Sequence, residues 1–214
     1  MGQEMFSKNN NFIFIFFTLF FLIFNCNSHS STDFNYFSFI KSLNSFSASF
    51  KQNTYQNDGS LLSESNGNLI YKKKAKYILE YENPSKIKFV SDGQFITTYD
   101  EELEQVIIQS YKNTFKENII DIMTNEVLIK EKFTLKSYIK GNDYYIKFIP
   151  LKSDIEDNIF LLVINNNRIK EISFMNDFEQ SVIMKFKDFK NNVSVVDSLF
   201  KIDIPKNFDV IVDK

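Results

Sequence analysis

The sequence predicts a mainly β chain with a few short helices, an α+β class built on an antiparallel meander. Three observations predict it. From Phe46 onward apolar side chains recur at every second residue through most of the chain, turn-forming residues separate these runs, and helix-like spacing is confined to short stretches.

The elements follow in chain order. Phe12 to Phe24 is apolar except for Thr18, with Lys8 ahead of it and small or polar residues behind, the layout of a secretory signal. The run falls short of the ~20 residues that span a bilayer, so a membrane anchor or a buried helix is the weaker reading. Glu4 does not suit a positive leader, and Met5 is an alternative start. Residues 1–29 are therefore expected to be a signal peptide, cut between Asn27 and Thr32, and residues 30–214 a single domain without repeat or linker. Next, Phe34, Phe37, Ile40 and Leu43, with Tyr36 and Phe39 alongside, predict a short amphipathic helix, and Asp33 is its expected N-cap.

Alternation then takes over. Tyr77, Leu79 and Tyr81 share one face of a predicted strand, and Ile87 and Phe89 share the same face of the next, while the intervening residues are mostly charged. The pattern returns at Phe133, Leu135 and Ile139, at Tyr144, Ile146 and Phe148, at Val182, Met184 and Phe186, and at Phe200, Ile202 and Ile204. Turns are expected at Asn57-Asp58-Gly59, Asn83-Pro84, Asp92-Gly93, Gly141-Asn142 and Asn165-Asn166-Asn167. Two stretches break the alternation. Phe115 to Asn125, with Ile119, Ile120, Ile122 and Met123, is spaced as a helix, and Val193 to Ser198 reads as a turn; either can cover a sheet face.

Few chemistries are open to this composition. A net charge of −2 gives no basic field for nucleic acid. The acids Asp92, Asp100, Glu101, Glu102 and Glu104 crowd one stretch, but Asp92-Gly93 and Asp100-Glu101-Glu102 fall at chain reversals, with a strand expected from Leu103 to Ile108, so turn roles outweigh an acid/base pair. His29, the single histidine, lies at the expected cleavage site, which leaves neither a histidine metal site nor a Ser/His nucleophile. With 5 glycines there is no phosphate-cradling loop, and no cofactor or metal is expected. Cys26 is the only cysteine, so no intramolecular disulfide forms. The residues read as a non-enzyme.

In order, Ser45-Phe46-Ser47-Ala48-Ser49-Phe50-Lys51-Gln52, Gly67-Asn68-Leu69, Pro84, Val90-Ser91-Asp92-Gly93, Tyr99-Asp100, Leu103-Glu104-Gln105-Val106 and Phe200-Lys201-Ile202-Asp203-Ile204-Pro205 resemble the outer-membrane lipoprotein carrier family, LolA. The resemblance implies a curved, incomplete antiparallel β-barrel covered by a lid of short α-helices, whose concave face holds the acyl chains of lipoproteins. It implies Tyr77, Leu79, Tyr81, Ile87, Phe89, Ile119, Ile120, Ile122 and Met123 as the acyl-chain cavity, and Lys73 as the lid latch. The family usually has an Arg-Pro pair where this sequence has Lys73 and Lys74, and lysine lacks arginine's planar fork; Lys72 or Lys74 is a candidate to share the role. It further implies a periplasmic monomer that takes lipoproteins from the inner-membrane LolCDE transporter and passes them to the outer membrane, with LolB as a receptor. Two alternatives share the fold. One is a LolB-like receptor lipidated at Cys26, although Asn25 departs from the small residue expected before a lipidated cysteine; the other is a sensor or regulatory module.

Overall fold

The computed structural model describes residues 34–111, 119–151, 159–176 and 178–213. Residues 35–214 cluster as one compact unit. The expected signal segment, Cys26, His29 and Asp33 fall outside the described residues. Helix α1 (Tyr36–Ser42) starts from Asn35, whose side chain accepts the Ser38 amide at 3.0 Å, and it buries Tyr36, Phe39 and Ile40. Asn35 thus performs the capping expected of Asp33.

Twelve strands follow: β1 (Ser45–Tyr55), β2 (Leu61–Lys72), β3 (Lys76–Asn83), β4 (Ile87–Asp92), β5 (Phe95–Asp100), β6 (Gln105–Ser110), β7 (Phe133–Lys140), β8 (Asp143–Pro150), β9 (Phe160–Asn165), β10 (Arg168–Met175), β11 (Ser181–Asn191) and β12 (Asp209–Asp213). They form one sheet in the order β12-β6-β5-β4-β3-β2-β1-β11-β10-β9-β8-β7. Between β6 and β7 lie α2 (Ile119–Thr124) and α3 (Glu126–Lys132), where a helix over Phe115 to Asn125 was expected. Asn125 separates the two by accepting the Leu128 amide at 3.1 Å, a cap that ends one helix and starts another.

Two expectations are corrected. The strand expected from Leu103 starts instead at Gln105, because Glu104 has positive φ and Leu103, 70% exposed, sits in the turn. The strand expected over Phe200 to Ile204 is not formed. Asp197–Phe200 is a 3-10 turn, Phe200 and Ile202 pack on Ile78 and Val90 without strand pairing, and the closing strand is β12, parallel to β6 in an otherwise antiparallel sheet.

The sheet must curve. Tyr111, directly after β6, hydrogen-bonds Asp121 of α2, while Tyr36 of α1 bonds the Met123 carbonyl of α2 at 2.6 Å and packs edge-on against Phe148 of β8 at 5.5 Å. β6 and β8 stand nine places apart in the sheet, about 43 Å if it were flat at 4.8 Å per strand. A six-residue helix is about 9 Å long and cannot bridge that gap. The strands therefore wrap around the helices, as an incomplete barrel with helices on its concave side.

Candidate functional site

Strand register decides which side chains face the helices. Direct cross-strand partners share a face, so Ala48, Leu69, Leu79 and Phe89 form one row across β1 to β4, and Phe46, Tyr71, Tyr77 and Ser91 form the next. A third row runs Phe50, Gly67, Tyr81. Phe50 and Tyr81 close edge to face over Gly67 at 5.2 Å, and Tyr81 meets Phe89 at 6.3 Å. Gly67 is required here, since a Cβ on it would lie 1.9 Å from the Glu80 carbonyl oxygen and 2.9 Å from the Phe50 ring. Tyr81 donates its hydroxyl to Gln52 at 3.0 Å, and burial pushes its pKa up to about 12.

The residues expected to form the cavity sit at two depths. Tyr77, Leu79, Ile120, Ile122 and Met123 are buried, while Tyr81, Ile87, Phe89 and Ile119 are half-buried. Tyr81 and Ile87 line a hollow of about 260 Å³ at the end of β3 and β4, rimmed by Glu80, Lys86 and Lys88. Deeper in, Ile120, Met123 and Ile129 are at most 2% exposed, so α2 and α3 occupy the interior.

One group there was not anticipated from the sequence. Asp121 of α2 is 2% exposed and accepts the Tyr111 hydroxyl with both carboxylate oxygens, with Asn125 as a further partner. Burial raises its pKa, and the hydrogen bonds from Tyr111 and Asn125 pull it back down. Burial, then Asp121 itself, drives the Tyr111 phenol far up. Tyr71 and Tyr77 adjoin this pair, and Tyr36 is likewise raised by burial. The signal was a lone acid inside the apolar run Ile119-Ile120-Asp121-Ile122-Met123, since a buried acid needs a partner.

Lys73 directly follows β2. Its ammonium donates to the Lys41 carbonyl at 2.7 Å and to the Asn44 side chain at 2.8 Å, so it engages the last turn of α1, where helix carbonyls lack intrahelical donors. Lys74 and Ala75 both adopt positive φ, 72° and 57°, in the turn that presents it. That backbone is costly for residues with a Cβ and must be held by its surroundings. Ser91, fully buried, donates its hydroxyl to the Ala75 carbonyl at 2.7 Å. Gly93 backs onto the same turn, and a Cβ there would lie 2.5 Å from the Lys74 carbonyl oxygen. Lys72 points elsewhere, to the Val195 carbonyl and Asp197, both at 2.7 Å.

The crowded acids serve turns. Asp92 Oδ1 accepts the amides of Gln94 and Phe95 at 2.7 and 2.8 Å, and Asp100 Oδ1 accepts those of Glu102 and Leu103 at 3.0 Å each. Among the described residues no group of three or more His, Cys, Asp or Glu is placed to hold a metal ion. The arrangement offers an apolar interior, a helical cover and polar fastenings for that cover.

Comparison with known proteins agrees with this geometry. The family model described as "Outer membrane lipoprotein carrier protein LolA" matches residues 41–203. An outer-membrane lipoprotein carrier protein of Pseudomonas putida (strain KT2440) is 28% identical over 168 residues, 77% of this chain and 80% of that protein. Its counterpart in Methylococcus capsulatus (strain Bath) is 23% identical over 180 residues, 83% and 86% of the respective chains. An uncharacterized conserved protein from Thermus thermophilus is similar in fold, with TM-score 0.54 at 12% identity over 83% of this chain and 97% of that one.

Proposed function

The chain belongs to the LolA family, a family of carriers rather than enzymes, and from that premise we propose that it shields the acyl chains of lipoproteins inside its curved sheet while they cross the periplasm. The observation that carries the reading is the row Ala48, Leu69, Leu79, Phe89, an apolar floor covered by separate short helices instead of by a second sheet. Each methylene removed from water contributes about 0.8 kcal/mol, so a lipid-modified protein crosses an aqueous space only with its chains covered. Cargo enters as α1, α2 and α3 swing out and acyl chains take the place of Ile120, Ile122 and Met123 against Tyr77, Leu79 and Phe89. Lys73 acts as the latch on α1. It works without arginine's fork, through two single hydrogen bonds.

In this reading the protein is a monomer that receives lipoproteins from an inner-membrane LolCDE-type transporter and hands them to the outer membrane, directly or through a LolB-type receptor. Mass analysis of the exported protein tests the placement. A product that begins between Asn27 and Thr32 and carries no acyl group agrees with a free carrier, whereas an acylated Cys26 at the new N-terminus makes it an anchored receptor. The cavity is tested with Phe89→Glu, which puts a carboxylate where hydrocarbon must lie. Binding of a fluorescent acyl probe is expected to be lost while the melting temperature falls little, since half-buried Phe89 leaves its replacement a route to water. Retained probe binding sinks the concave face as the cargo site.

A further inference from the structure

The outer face of the β7–β8 hairpin has an arrangement that folding alone does not favour. Lys136 and Lys147 are direct cross-strand partners, both exposed, and like charges directly opposite each other destabilise a sheet. Among the described residues neither makes an ion pair, and Asp143, the hairpin's one acid, is taken by Lys170 at 2.7 Å. Beside the lysines Tyr138 and Tyr145 stack with ring centres 4.9 Å apart, Tyr138 being 52% exposed. The hairpin belongs to a basic side of the sheet. Strands β7 to β11 carry eight Lys or Arg, all exposed, against three acids, in a chain of net charge −2.

We propose that this hairpin docks the protein onto a bilayer surface rich in anionic phospholipid. Exposed cations that outnumber the acids beside them match the smeared negative charge of a headgroup plane, and tyrosines favour that interface because one end of the ring is apolar and the other polar. The position is apt: β7 ends the strand order opposite β12 and continues directly from lid helix α3, so docking there brings the helical cover next to lipid. The proposal rests on the carrier reading, because a carrier loads from and unloads to membranes. It adds the face by which the protein approaches them.

The test is flotation of the exported protein with vesicles of phosphatidylcholine alone or mixed with phosphatidylglycerol, at low and high salt, with acyl-probe binding measured on the same samples. Binding is expected only to the anionic vesicles and should weaken with salt. Lys136→Gln with Lys147→Gln should reduce it roughly 30-fold, from about 1 kcal/mol per lysine near the surface. The same double variant should melt no lower than the parent, because a repulsion has been removed; that readout separates docking from damage to the fold. Equal binding to both vesicle types, or no change in the double variant, overturns the proposal. So does binding of soluble polyglutamate by a protein that floats with neither vesicle type, which reassigns the face to an acidic protein. Probe binding that persists while vesicle binding is absent removes the docking face alone; the converse removes the carrier reading.

Discussion

Asp121 is a carboxylate that the fold keeps from water and hands to a phenol. An acid whose folded pKa exceeds its unfolded one binds more protons when folded, so its contribution to stability is full below the ordinary value near 4 and is lost as pH rises through the raised folded value. Asp121→Asn removes this dependence. The melting temperature of the parent minus that of the variant is therefore expected to increase as pH falls from neutral through the mildly acid range; a difference independent of pH contradicts a raised Asp121. Tyr111→Phe strips the carboxylate of the phenol and should cost about 1–3 kcal/mol at neutral pH, measured by urea unfolding. The polar roles of Asp92 and Asp100 were legible in the sequence because their partners are amides two and three residues away. The Tyr111 bond was not, because that partner is set by how α2 docks.

At the scale of elements, the Ser91-Asp92-Gly93 segment has two tasks. Asp92 shapes its own turn, while Ser91 and Gly93 support the neighbouring turn at Lys74 and Ala75 and thereby aim Lys73 at α1. Lys73→Met should weaken the latch by about 1 kcal/mol, near the net worth of a hydrogen bond, and raise amide exchange in residues 36–42 roughly fivefold. Ser91→Ala should raise the same exchange, and the two together should do little more than one alone, since both act through the Lys73 ammonium. Additive effects separate Ser91 from the latch. Turns were legible in the sequence: Asn166 and Asn167 both take positive φ between β9 and β10, the conformation asparagine tolerates best after glycine. The 200–204 segment misled because alternation reports only which side chains share a face. Phe200 and Ile202 do share one, against Ile78 and Val90, but no neighbouring strand pairs with them.

For the whole molecule, the proposed function makes cargo and helices compete for one interior. Acyl-probe binding is expected to raise hydrogen exchange in residues 36–42 and 119–132 while the amides of β1 to β4 remain protected. Uniform slowing across helices and strands instead places the probe outside the fold. Sheet curvature was legible only through the family resemblance, since period-two patterning is the same in flat and curved sheets. The parallel placement of β12 has a mechanical consequence. β11 and β12 stand seven places apart along the sheet, about 34 Å at 4.8 Å per strand, a distance that residues 192–208 span easily at up to ~3.3 Å each. On the way this segment is pinned to β2 and β3 by Asp197 with Lys72 and Lys76, to β4 by Phe200 on Val90, and to β5 by Phe208 stacked on Tyr99. It is a hoop around the staves. Because the hoop lies outside and the helices inside, emptying the interior leaves the bend of these strands in place, so under the proposed function the volume offered to a guest is fixed by the wall and not by the guest.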